Sequence, residues 1–174
     1  MNMAQLDILE IAGRHSIIMS AHPLEKVEQK EEFPGVLRSF FADLNKLEVR
    51  AVTVLLPQEE LLGNYKGTDL VKEYRRSGFE VLHFPLENFG TPRGIEVFDQ
   101  LMSRLSEKLL KINVLIHCKT GCSRTAMVAA GVLIKLGSSA ARAIMAVHSA
   151  RPSSNLTINQ IQFLREYQRY LSQK

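Results

Sequence analysis

An uninterrupted, mostly apolar run, Ile112-Asn113-Val114-Leu115-Ile116-His117, passes directly into Cys118-Lys119-Thr120-Gly121-Cys122-Ser123-Arg124-Thr125. The chain then turns at once to the strong helix formers Ala126-Met127-Val128-Ala129-Ala130. A continuous apolar run marks a strand buried on both faces, and such a strand must be covered by helices. The pattern is strand, tight loop, helix start, which is the repeating unit of a layered α/β domain. A loop so placed is also the natural seat for an anion, because the first N–H groups of a helix have no partner within it and carry the positive end of its dipole.

The rest of the chain alternates in the same way. Residues 16–19 and 50–56 read as buried strands and 79–84 as a further strand. Between them, Val36, Leu37, Phe40, Phe41, Leu44 and Leu47 recur at three- and four-residue intervals and describe one face of a helix over 36–47. Pro57 and Gly63-Asn64 mark a loop, Thr68 is placed to cap a helix to residue 76, and Pro92 suits the first turn of a helix to residue 110. Helices are further predicted over 124–136, 139–148 and 157–171, while 24–32 is charged and reads as exposed. Strands alternating with helices predict an α/β class: one layered domain, with a mainly parallel central sheet flanked by helices and a phosphate-binding loop between a central strand and a helix.

At 174 residues and 45% hydrophobic content, one domain spanning 1–174 is expected, with 1–15 as a lead-in. The net charge of +4 and pI near 9.2 tilt the partners toward anions without requiring nucleic acid. The two cysteines, Cys118 and Cys122, are too few and too close for a disulfide framework, which favours a reducing, cytoplasmic setting. The first residues lack the basic start and apolar run of a signal peptide, and no stretch is long enough to span a bilayer. The cysteines and histidines are not spaced as zinc ligands, so neither metal nor cofactor is expected.

A cysteine at the entry of the loop experiences the same positive potential as a bound anion would, which favours its nucleophilic thiolate form. Gly121 permits the tight backbone path. Arg124 can return a planar fork to the anion and make two parallel hydrogen bonds.

The residues His117-Cys118-x-x-Gly121-x-x-Arg124-Thr125 resemble the signature loop of the cysteine-based protein tyrosine phosphatases. The likeness runs from about residue 16 to residue 164 and is nearest to the dual-specificity branch of the cyclin-dependent-kinase-associated type. It implies that Cys118 attacks phosphorus to form a cysteinyl-phosphate. Lys119, Thr120, Gly121, Cys122, Ser123 and Arg124 would bind the phosphate, and Thr125 would hydrogen-bond the sulfur. His117 would orient the loop. Downstream, Arg151-Pro152 with Thr157, Gln160, Phe163 and Leu164 resembles a stretch whose glutamine helps to place the hydrolytic water.

Upstream, Pro85-Leu86-Glu87-Asn88-Phe89-Gly90-Thr91-Pro92 resembles the loop that delivers the general acid, but Asn88 stands where that family usually has aspartic acid. Glu87 is the adjacent carboxyl and the candidate proton donor. The expected substrates are phosphotyrosine esters, with phosphoserine and phosphothreonine esters as the second class, on a protein or another phosphoester. Two other readings remain open: a phosphate-binding module with crippled turnover, and a phosphoinositide phosphatase. Lys119 favours the second of these, while Cys122 occupies the place of that group's further lysine. A sulfur-transfer loop of the rhodanese kind fits the spacing less well. Cys122 is either a redox partner of Cys118 or a small residue packed under the loop.

Overall fold

The computed structural model describes residues 4–174. Strands β1 (Asp7–Leu9), β2 (Ile17–Ser20), β3 (Val49–Val54), β4 (Glu80–His83) and β5 (Asn113–His117) form one sheet in the order β1-β2-β5-β3-β4. Strands β2, β5, β3 and β4 are parallel, and β1 runs antiparallel along the outer edge of β2. Parallel neighbours need crossovers, and these are supplied by α1 (Phe33–Lys46), α2 (Gln58–Asn64), α3 (Leu70–Arg76) and α4 (Ile95–Lys108). Beyond β5 the chain continues as α5 (Arg124–Lys135), α6 (Ala140–Ala150) and α7 (Ile158–Ser172).

Alternation along the strands sorts the core into two layers. Ile17, Met19, Val114 and Ile116 face the side covered by α4, α5, α6 and α7, and Ile18, Val52, Val54 and Leu115 face α1, α3 and Tyr65. Both faces of β5 are therefore dry. The expected α/β layered fold with its mainly parallel sheet is what forms, and α5 is buried along nearly its whole length. No helix among the described residues is long and apolar enough to cross a membrane.

Some boundaries differ from the sequence reading. Within the expected lead-in, residues 7–9 add a strand to the sheet; a three-residue strand is too short to show alternation and is defined by the open edge of β2. Residues 1–3 of that lead-in lie outside the described residues. The predicted loop after Pro57 contains α2, whose first turn carries Glu59 and Glu60 at the positive end of the helix. Asp69, rather than Thr68, caps α3 by accepting the Lys72 N–H at 3.1 Å. Helix α4 begins at Ile95 behind Gly94, so Pro92 belongs to the preceding loop.

Buried Asp99 ties three helices together. Its Oδ1 accepts from Lys135 Nζ and Tyr167 Oη, both at 2.7 Å, and its Oδ2 accepts from Lys174 Nζ at 2.8 Å. Burial alone would raise its pKa, but the bonds from Lys135, Lys174 and Tyr167 hold it down at about 2.

Candidate active site

The site lies where β5 ends, at the carboxyl edge of the parallel strands, which is where open α/β sheets place ligands. Cys118 follows β5 directly and Arg124 opens α5; each is only 2% exposed. The loop between them is held from outside by its carbonyls. Lys119 O accepts from His22 N at 2.8 Å, Cys122 O from Asn155 N at 3.1 Å, and Ser123 O from Met127 N at 3.0 Å. Gly121 O and Thr120 O accept from Arg151, Nε at 2.8 Å and Nη2 at 3.1 Å.

Among the described residues, no hydrogen bond uses the backbone N–H groups of residues 119–124. Carbonyls turned outward and N–H groups left free make an anion-binding concavity. Gly121 holds φ at +73°, and a Cβ there would lie 2.4 Å from Ser20 O, so the path of the loop excludes any side chain at this position.

Arg124 is oriented by partners far from it along the chain. Its Nη1 donates to Glu60 Oε1 at 2.8 Å and to Leu86 O at 2.9 Å, while Nη2 donates to Glu60 Oε2 at 3.1 Å. A guanidinium carries five N–H bonds. Three are used here, so Nε–H and one Nη2–H remain as a parallel pair for an oxyanion. Burial would weaken the charge of Arg124, but Glu60 and the Cys118 side chain outweigh it and keep the group ionised. The sequence signal for Glu60 is an acidic pair, Glu59-Glu60, just beyond a strand's carboxyl end in the segment predicted as a loop.

His117 is fully buried, and its Nδ1–H donates to Cys118 O at 3.2 Å. Burial lowers its pKa to about 4, against the weaker opposing effect of that bond, so the ring is neutral at neutral pH. Nearby His22 accepts the Leu24 N–H on Nδ1 at 3.1 Å and stacks on Tyr65 with ring centroids 3.4 Å apart. It too is pushed well down by burial, with His117 adding to the effect. Tyr65 donates its hydroxyl to Glu25 at 2.6 Å; burial and that carboxylate raise its pKa. Lys119 lies 4.0 Å from the other oxygen of Glu25.

These buried histidines set an acid limit on stability. In an unfolded chain His117 would gain its proton near pH 6.5, whereas folded it resists to about pH 4. The unfolded state therefore binds more protons in that window, and stability is lost as the pH falls through it. The expected loss from His117 alone is about 3 kcal/mol. Asp99 adds a further loss as the pH falls from about 4 toward about 2. Urea unfolding at pH 7.5, 5.5 and 4.0 checks this, and an unchanged unfolding free energy would contradict it.

The other expected residues are distributed as follows. Ser123 Oγ donates to Gln160 Oε1 at 2.8 Å. Gln160, fully buried, also accepts the Thr157 N–H at 3.0 Å in a capping box and donates Nε2–H to Gly90 O at 3.0 Å. It joins the phosphate loop to the upstream loop. Thr125 Oγ1 is buried without a hydrogen-bond partner among the described residues, so the expected bond to the sulfur is not formed in this geometry.

Glu87 and Asn88 are exposed, in a turn closed by Gly90 N–H to Glu87 O at 2.9 Å, with Phe89 at a positive φ beside them. Neither side chain makes a hydrogen bond among the described residues. Both cysteines are free thiols; Cys122 donates to Thr120 O at 3.4 Å and lines a cleft of about 340 Å³ with His22, Lys26 and Arg151.

A cysteine and a charged fork meeting at a ring of unpaired N–H groups define a phosphate-handling α/β domain. Comparison with known proteins narrows that class. The family model described as "Tc-R-P: Polymorphic toxin system, DSP-PTPase phosphatase" matches residues 33–138. The chain is similar to cyclin-dependent kinase inhibitor 3 of Rattus norvegicus, at 31% identity over 144 residues. That match covers 78% of this chain and 66% of that protein.

Among solved structures, Tk-PTP in the active form is 28% identical, with 94% of this chain and 97% of that one covered and a TM-score of 0.70. Kinase associated phosphatase, with its catalytic-site cysteine replaced by serine, shares the fold at a TM-score of 0.80 and 22% identity over 99% of this chain and 98% of that one. The chain belongs to the DSP-PTPase phosphatase family.

Proposed function

We propose that residues 1–174 act as one phosphatase domain that hydrolyses phosphotyrosine esters first, and phosphoserine or phosphothreonine esters second. The observation that carries this reading is the loop whose carbonyls are all drawn outward while its N–H groups stay free around buried Cys118. The sulfur attacks phosphorus, the loop N–H groups and the free edge of Arg124 stabilise the equatorial oxygens, and the ester oxygen leaves with a proton from Glu87. Water then cleaves the S–P bond and returns the thiolate. Gln160 places that water by exchanging its bond to the Gly90 carbonyl, and Thr125, whose hydroxyl is uncommitted, steadies the departing sulfur.

Turnover of p-nitrophenyl phosphate, with inhibition by vanadate, tests the reading. A chain that binds vanadate without turnover would support the second reading, a phosphate-capturing module, which Asn88 in the acid loop favours. Because Asn88 cannot donate a proton, good leaving groups should suffer least. We expect kcat/KM for a phosphotyrosine peptide to exceed that for its phosphoserine counterpart about tenfold or more. Glu87→Gln should flatten the limb of the pH profile assigned to the proton donor. Equal rates on the two peptides would count against the expected preference, and an unchanged profile would remove Glu87 from the mechanism. The expected setting is cytoplasmic, with a phosphorylated protein or other phosphoester as partner and nucleic acid excluded.

A further inference from the structure

The phosphate loop is gripped from behind by Arg151, whose guanidinium is nearly buried and spends Nε–H on Gly121 O and Nη2–H on Thr120 O. A peptide unit is planar and trans, so its C=O and N–H point in opposite directions. Drawing the carbonyls of Thr120 and Gly121 outward therefore turns the N–H groups of Gly121 and Cys122 inward, toward the anion seat. Space behind the loop is tight: a Cβ on Gly121 would come within 2.6 Å of Arg151 Nη2.

The remaining edge of this fork is taken by a residue from the opposite end of the chain, since Arg151 Nη1 donates to Asp7 Oδ2. Asp7 begins β1, and the sheet register aligns it with Met19 of β2 and, through Met19, with Ile116 of β5. The antiparallel edge strand thus delivers a carboxylate to the end of the sheet where the phosphate loop begins. Arg151 also borders the 340 Å³ cleft shared with Lys26, Cys122 and Ser153. Without its carboxylate partner, the buried guanidinium would carry an uncompensated charge next to a route into solvent.

We infer that Asp7 is a positioning residue for the phosphate loop. Its carboxylate fixes the Arg151 fork, the fork fixes two carbonyls, and the carbonyls aim two N–H donors at the bound oxyanion. The inference rests on the phosphatase reading for its effect on catalysis, but the orientation of the loop can be measured without it.

The test compares the full chain with Asp7→Asn and Asp7→Glu, using vanadate affinity by calorimetry, kcat and KM on p-nitrophenyl phosphate, and amide hydrogen exchange at Gly121 and Cys122. Asp7→Asn should weaken vanadate binding and kcat/KM about tenfold and speed exchange at those amides, with Asp7→Glu recovering most of the loss. A purely structural strand contact would lower the melting temperature yet leave vanadate affinity unchanged well below it. Wild-type affinity, within twofold, in folded Asp7→Asn would overturn the inference. Should Asp7→Asn not fold, Arg151→Lys keeps a cation for Asp7 but loses the two-pronged grip, and must show the same loss. A wild-type chain that neither binds vanadate nor turns over substrate would instead sink the phosphatase reading, and the exchange rates at Gly121 and Cys122 would still decide the role of Asp7.

Discussion

Cys118→Ser is expected to abolish turnover of p-nitrophenyl phosphate, by at least ~10⁴-fold, while inorganic phosphate still binds with nearly wild-type affinity. The two halves of this expectation come from different atoms. On the proposed mechanism bond-making belongs to the sulfur, and a serine hydroxyl in its place keeps its proton near neutrality and is a far weaker nucleophile. Binding belongs to backbone N–H groups, whose direction is set by Arg151, His22 and Asn155 from outside the loop and does not depend on the side chain of residue 118. Calorimetry with phosphate and a sensitive colour assay separate the two. Residual activity within tenfold of wild type would place the nucleophile elsewhere, and loss of phosphate binding would mean that the loop is not preorganised.

Arg124→Lys should lower kcat/KM on the order of 10³-fold even though the charge is kept. On the proposed mechanism the guanidinium would do two jobs at once: its end is anchored on Glu60 and the Leu86 carbonyl, and its side edge keeps two parallel donors for a phosphate. An ammonium group has three rotatable donors and no fixed plane, so it cannot hold the carboxylate and still offer a matched pair. Glu60→Gln separates these contributions. It leaves the arginine and its charge but weakens the anchor, and we expect a smaller fall, about tenfold. Steady-state kinetics of both variants checks the ranking. A Glu60→Gln defect equal to that of Arg124→Lys would show that orientation, rather than the donors themselves, sets the rate.

The strand, loop and helix that carry Cys118 and Arg124 were legible because they form one contiguous stretch. What lay beyond reading was assembled across the fold. Glu60 reaches Arg124 over a separation of 64 residues and Asp7 reaches Arg151 over 144, and no local pattern encodes such meetings. Pro57 and Gly63-Asn64 were sound turn signals, yet the short segment between them is helical because Leu61 and Tyr65 pack into the core layer below. Gln160 illustrates a different gap. Its capping box with Thr157 is local, but the same amide also joins two loops, which only the folded chain brings within reach.

That shared amide narrows what position 160 can tolerate. One side of it must accept from a hydroxyl and a backbone N–H, while the other must give a proton to a carbonyl. Glutamate would set oxygen against oxygen at Gly90, lysine would offer no acceptor to Ser123 or the Thr157 N–H, and asparagine falls a methylene short. The end cap of one helix and the tie between the loop after Cys118 and the loop before α4 are thereby written into a single codon, so a change at that site is expected to be felt in both.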